Sequence, residues 1–337
     1  MKRNDYLAQF DLFITICIFC LLFFLYSGNL WNGDRIGYEN YYHRESLGLW
    51  GLEVGYGALN LIFYKLGISY QLFQSFIALV SLLLISQYLK KVSYLLSVSL
   101  LLYLIVMFSL DYVLMRTTLA YAIVLNGFYY LYQGERLKYI MLVFIASLFH
   151  QSSLIFSIFL FLPYNYKNIQ ISKYIYLSIA MILIAGAIRL FGLLPNNIAS
   201  HLNYYLPSVK STIFSVCVHI ICISLVYFDC LVNLKNEDNK KYFKYIEFIK
   251  AFNIVSILLL FLYFQADIFI RIFRLIVFVN LIYIVQLSIM SKRISYYALI
   301  YVVIFSIYLI MFYIYPTTQY SLFPLIKHNF LYEYYSG

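Results

Sequence analysis

The sequence predicts an all-α, polytopic integral membrane protein of about ten or eleven membrane segments, and three observations carry that reading. The 337 residues are 64% hydrophobic and only 11% charged, where a soluble domain is nearer half apolar and a quarter charged. The apolar residues run in long uninterrupted blocks instead of a one-sided helical pattern, which marks membrane spans and not a buried core. Many of the 38 tyrosines sit at block ends, where an amphipathic ring meets both lipid and water. Five prolines and thirteen glycines leave little material for linkers, so residues 1–337 read as a single transmembrane domain. The net charge of +10 would suit nucleic acid, but the basic residues lie in short loops between spans, where they set orientation. No nucleic-acid partner is expected. Cys17, Cys20, Cys217, Cys222 and Cys230 all fall inside apolar blocks, so they read as buried thiols, with neither a disulfide framework nor a zinc site.

Lys2 and Arg3 place the N-terminus inside, and the first apolar block, 10–26, reads as an uncleaved first helix because no small-residue cleavage site follows it. That helix exits into an external loop, 27–69. Within the loop, 54–66 is apolar but too short to span, and is expected to lie in the outer interface. Block 70–89 returns to Lys90 and Lys91. Blocks 92–112 and 116–133 form a hairpin that returns to Arg136 and Lys138. Block 138–163 decides the rest. As one span it would put the loop 233–250, with Lys235, Lys240, Lys241, Lys244 and Lys250, on the outside against the positive-inside rule. A reversal at Phe149-His150-Gln151-Ser152-Ser153 puts that loop inside, and irregular backbone at depth is tolerated where it lines a cavity. Blocks 174–194, 212–232, 250–266, 271–290 and 295–315 follow, with the tail 316–337 outside. Fifteen of the 24 Lys and Arg residues then lie inside.

Drawn this way, the conspicuous polar residues Asp34, Glu53, Arg116, His150, Asp267, Arg271 and Arg274 share the outer side. Charged groups in such a setting are costly and persist where they line a cavity, pair or do chemistry. Asp34 and Glu53 flank a run of aromatics, an arrangement common at carbohydrate sites, and an ordinary solvated loop with interfacial tyrosines is the competing reading. Arg116 opens a span at a helix N-terminus, where the dipole does not favour a cation; anion binding and snorkelling both remain open. His150 coincides with the proposed reversal. Arg271 and Arg274 follow Asp267 at offsets of four and three, so all three can share one helix face. They form either a neutralising Asp267–Arg271 pair or an arginine clamp for phosphate oxygens. No metal-ligand spacing, glycine-rich phosphate loop, G-x-S-x-G or HExxH occurs.

At these residues the chain resembles the EpsG family of bacterial membrane proteins, relatives of the Wzy polymerases of O-antigen and capsule. The matching elements are Asp34, Tyr38 and Tyr42, then Glu53-Val54-Gly55-Tyr56, the helix start Arg116 to Ala120, the turn Phe149 to Leu154, and a later helix opening with Arg271. Val54 stands where the family has proline. The resemblance implies a polysaccharide polymerase that moves a growing chain from undecaprenyl diphosphate onto a sugar hydroxyl of the next lipid-linked repeat unit, at the outer face of the bacterial plasma membrane. It implies Glu53, Asp34 and His150 as catalytic residues, Arg116, Arg271 and Arg274 on the diphosphate, and Tyr38, Tyr42 and Tyr56 on the sugar. No cofactor or metal is called for. The partners are the lipid-linked oligosaccharide, the bilayer and a membrane chain-length regulator. Among the three acid–base candidates, Glu53 is expected to be the base, with a pKa raised by partial removal from water. Three rivals stay open, one of them a structural component of a polysaccharide export complex. A flippase or transporter predicts charges along the whole path and repeat symmetry. A membrane acyltransferase would use His150 and leave the arginine helix unexplained.

Overall fold

The computed structural model describes residues 5–44, 46–191, 208–266, 269–309 and 323–330. Helix dominates, as the composition predicts, and among the described residues the only β feature is one isolated bridge, Asn29 with Asn329. Six helices are long and apolar enough to cross a membrane: Asp5–Ser27, Tyr70–Val92, Ile171–Ile188, Val209–Lys235, Glu237–Tyr263 and Arg271–Ser291. Shorter apolar helices, Leu96–Val106, Gln151–Phe161 and Tyr296–Ile307, add to them. This is a multi-pass, all-α membrane protein. Its contacts fall into two compact units, Met1–Ser157 with Phe305–Gly337, and Ile158–Ile304.

The first unit is built on α1 (Asp5–Ser27), α2 (Arg35–Tyr42), α3 (Val54–Lys65), α4 (Tyr70–Val92), α5 (Leu96–Val106), α6 (Phe108–Asp111), α7 (Met115–Gln133) and α8 (Arg136–Phe149). Helix α7 is the centre: thirteen of its nineteen residues are buried, and it packs against α4 and α8. Ser69 caps α4 by accepting the Leu72 N–H, and Gly134 ends α7 in the left-handed conformation that glycine adopts without strain. Lys91 and Lys138 both sit over the Tyr130 ring, at 5.1 and 5.3 Å, so the two basic loop ends lie together.

Block 92–112, expected as one span, is broken. Helix α5 stops at Val106, and the chain turns through Met107 into the single turn α6. The cause is Asp111, an acid buried inside an apolar run. The Tyr103 hydroxyl donates to its carboxylate at 2.9 Å, and the Thr118 hydroxyl donates to its carbonyl at 2.7 Å. A straight helix would leave that buried acid without these partners. The reversal expected at His150 is present. After α8 the backbone goes extended at His150 and continues as the 3₁₀ segment Gln151–Phe161. The Tyr139 hydroxyl, near the start of α8, donates to the Phe156 carbonyl at 2.5 Å, so the segment runs back alongside α8.

In the second unit, α9 (Ile171–Leu190), α10 (Val209–Lys235), α11 (Phe243–Ser256), α12 (Ile270–Ser291) and most of α13 (Tyr296–Leu309) pack around neutral polar pairs. Asn253 and Asn280 exchange amide hydrogen bonds at 2.8 Å in both directions, and His219 lies between the Tyr263 and Ser256 hydroxyls at 2.8 and 3.0 Å. Tyr166, beside Lys167, packs on Phe248, and Ser295, beside Arg293, donates to Asp229 near the end of α10. Lys167, the lysine-rich loop and the Lys292–Arg293 turn therefore share one end of this unit. Asp267, residues 192–207 and most of the tail 316–337 lie outside the described residues.

Candidate active site

Three polar residues from well-separated stretches meet in the first unit. Glu53 is the residue at which α3 begins, and its side chain makes no bond to that helix's free N–H groups. Its carboxylate instead joins two other helices. One oxygen accepts from the Arg116 guanidinium, at the start of α7. The other lies 2.8 Å from His150 Nδ1, at the end of α8, and 3.2 Å from the Gln151 N–H. Glycine makes this junction possible. A Cβ on Gly55 would lie 3.0 Å from both the Cβ and the carbonyl oxygen of Leu148, so only a residue without one lets the first turn of α3 sit against the last turn of α8.

Above this junction lies a cavity of about 320 Å³ lined by Gly33, Asp34, Gly37, Tyr38, Tyr41, Trp50 and Arg116. Its aromatic wall is ordered. Tyr38 stacks on Trp50 with centroids 5.8 Å apart, and Tyr41 meets Trp50 edge-on at 5.1 Å. The Arg116 guanidinium sits 4.8 Å from the Trp50 ring and 5.4 Å from the Tyr38 ring, and its Nε donates to the Tyr38 hydroxyl at 3.3 Å. A cation held over two ring faces and a carboxylate has its orientation fixed.

The electrostatics reverse one expectation. Burial, the largest single influence on the Glu53 carboxyl, does raise it. The His150 hydrogen bond, the Arg116 charge and the Gln151 N–H together outweigh burial and hold Glu53 below the ordinary carboxylate value. A carboxylate stabilised in this way is a weak base, and both of its oxygens already have donors. The His150 imidazole is the other acid–base group at this junction. In its neutral form a ring facing an ionised carboxylate carries its proton on Nδ1 and leaves the lone pair on Nε2, and Nε2 makes no hydrogen bond to the described residues. His150 is about a quarter exposed, against 8% for the Glu53 side chain. Burial also pushes the Tyr38 phenol up, against the pull of Arg116, so this ring stays a neutral hydroxyl.

The sequence-derived residues thus divide. Glu53, Arg116, His150 and Tyr38 come together, and Asp34 lines the same cavity. Tyr42 does not join them, and Tyr56 does so only by packing edge-on against Tyr38 at 6.1 Å. Tyr42 is buried and donates its hydroxyl to the Ile68 carbonyl at 2.7 Å, and Tyr56 is fully buried between Trp50 and Phe73. Both pack the loop. Tyr41 and Trp50, which sequence reasoning passed over, line the cavity in their place. Tyr41 was within reach of that reasoning, lying three residues after Tyr38 on the same helix face. Arg271 and Arg274 belong to α12 in the other unit. Arg271 is exposed and Arg274 is buried. Among the described residues, no cluster of His, Cys, Asp or Glu has the grouping of a metal site.

The model of the EpsG family matches residues 13–334. No curated protein and no solved structure matches the chain.

Proposed function

Because the chain belongs to the EpsG family, whose members are polysaccharide polymerase-like membrane proteins, we propose that it joins undecaprenyl-diphosphate-linked oligosaccharide repeat units at the outer face of the bacterial plasma membrane. The observation that carries this reading is the Glu53 carboxylate shared between Arg116 and His150 beside an aromatic cavity. It supplies the two things glycosyl transfer from a lipid diphosphate requires: a base for the incoming hydroxyl and positive charge for the leaving group.

In this mechanism an acceptor sugar occupies the cavity, its C–H face on the exposed Tyr41 ring and a hydroxyl on Asp34. His150 Nε2 takes the proton of the attacking hydroxyl as its oxygen bonds to the anomeric carbon of the donor. The bond from that carbon to the diphosphate oxygen breaks, and the lipid diphosphate leaves with the electron pair. Arg116, one edge of which stays bound to Glu53, stabilises the developing negative charge. Glu53 fixes the ring of His150 and stabilises the imidazolium that forms, and is not itself the base. The transporter reading predicts charges along the whole path. The groups described as buried between the helices of the second unit are mainly neutral amides and hydroxyls bonded to one another, not a charged path.

The test is complementation of a polymerase-deficient strain, with the polymer ladder as readout. The wild-type chain should restore long polymer, and His150→Ala and Arg116→Ala, present at normal abundance, should leave single lipid-linked repeat units. Restoration of long polymer by both variants would remove the proposed chemistry.

A further inference from the structure

The short bridge between the two ends of the chain has no role in the chemistry above, yet its hydrogen bonds lead to the cavity. Residues 28–30 pair with 328–330: the Leu30 N–H donates to the His328 carbonyl and the Phe330 N–H to the Gly28 carbonyl, each at 2.7 Å. The Asn329 amide donates to the Leu25 carbonyl at 3.2 Å and more weakly to Phe24 at 3.4 Å. These two carbonyls belong to the last turn of α1, where helix carbonyls run out of intrahelical donors, although Phe24 also accepts the Gly28 N–H at 2.9 Å. Trp31 packs on the His328 ring at 5.6 Å. The segment Phe323–Phe330 is a strap laid across the end of α1.

Asn29 converts the strap into something the site feels. It is fully buried, and it divides its bonds between two neighbours. Its Nδ2 donates to the Pro324 carbonyl of the strap at 3.2 Å. Its Oδ1 accepts from the Asn32 amide at 3.0 Å, and Asn32 Oδ1 accepts the Asp34 N–H at 3.1 Å, a side-chain turn that starts α2. The Asn29 carbonyl accepts both Arg35 Nη1 at 2.7 Å and Gln74 Nε2 at 2.9 Å. Helix α2 carries Tyr38 and Tyr41, and Asp34 sits at its head, so these bonds fix the part of the cavity lining that is not Trp50 or Arg116.

We propose that Asn29 is a positioning residue of the candidate site, and that the C-terminal strap holds it there: the strap fixes Asn29, Asn29 fixes Asn32 and Arg35, and these fix the start of α2 with Asp34, Tyr38 and Tyr41. The alternative is a strap that only closes the end of α1. The proposal's link to activity rests on the functional reading above; its structural part does not. The predicted signature is loosened α2 beside an unchanged α3–α8 junction, and weakened substrate binding with the chemical step preserved.

The experiment uses the purified full-length protein in lipid nanodiscs, with the variants Asn29→Ala and Asn329→Ala. Loss of one buried hydrogen-bonded link should raise amide hydrogen exchange across Arg35–Tyr42 about tenfold, with exchange across α8 unchanged. Polymerisation of lipid-linked repeat units should show a KM raised by a similar factor and a kcat close to wild type. Unchanged α2 exchange in both folded variants overturns the proposal. Should Asn29→Ala fail to fold, Asn329→Ala, which keeps the backbone pairing, still decides it. If His150→Ala and Arg116→Ala retain activity, the functional reading fails, and the exchange data judge the strap by themselves.

Discussion

Replacing Glu53 by glutamine keeps the shape of the side chain and removes its charge, and the geometry makes the consequence definite. The carboxylate accepts on one side from Arg116 and on the other from His150 Nδ1 and the Gln151 N–H. An amide has one oxygen and one NH₂, so it satisfies only one side. With its oxygen toward Arg116, the NH₂ faces His150 Nδ1, which must become the acceptor. The ring proton then moves to Nε2 and the base is lost. With its oxygen toward His150, the NH₂ faces the guanidinium, two donors oppose each other, and Arg116 loses its fixed orientation. Either arrangement removes at least one hydrogen bond to a charged group, worth about 1.5–3 kcal/mol of stability. Loss of a positioned base costs about 10²–10⁴-fold in rate. We therefore expect Glu53→Gln to lower kcat by about 10²–10⁴-fold with a much smaller change in KM, measured on lipid-linked repeat units in nanodiscs at matched protein amount. A kcat within about threefold of wild type, a barrier change well under 1 kcal/mol, would refute both the tautomer argument and the assignment of His150.

The same carboxylate gives a pH dependence. Its folded value lies below its ordinary 4.5, so its stabilising contribution is complete above 4.5 and is lost as the pH falls through the lower folded value. Wild type should lose thermal stability on acidification through that range, and Glu53→Gln should lack this component; parallel curves would sink the argument. For orientation, reporter fusions at Lys240 and Gly337 should report inside and outside respectively, and the same side for both would overturn the charge-based topology. Arg271→Lys, which keeps charge but loses the bidentate fork, should shorten the polymer, and Arg271→Ala should abolish it at normal abundance; full activity of the alanine variant would free Arg271 from the diphosphate. Gly37→Ala separates folding from function. A Cβ there meets nothing within 4 Å, so the change should stabilise α2 by up to about 1 kcal/mol while intruding on the cavity and raising KM. A variant both more stable and equally active would show that the cavity is not the sugar site.

Much of the site was legible in the sequence because its members are expensive in lipid. Glu53, Arg116 and His150 stood out as polar residues sharing one side of an apolar chain; the charge bias required a reversal within block 138–163, and the polar run His150–Ser153 located it. What escaped were properties fixed by partners far along the chain. The depressed pKa of Glu53 depends on residues 63 and 97 positions away, and from the sequence only its removal from water could be weighed. The choice among Tyr38, Tyr41, Tyr42 and Tyr56 depends on which way each ring faces, and residue type is silent on that for a loop crowded with tyrosine. Asp111 was overlooked inside an apolar block, and with it the break after α5. The pairing of Asn29 with Asn329 joins positions 300 apart, and no local pattern announces such a contact.

Under the proposed function, the tight seat of α3 on α8 has a consequence for how a lengthening product would leave. With Gly55 pressed against Leu148, the two helices have no slack to slide past each other, and the base and its carboxylate travel as one body. Five of the seven residues that line the cavity, Gly33, Asp34, Gly37, Tyr38 and Tyr41, lie on or just before α2. Any widening that lets a sugar chain advance by one unit therefore falls to α2. The reacting groups form the fixed jaw of a vice, and the hand that opens it is a helix of eight residues.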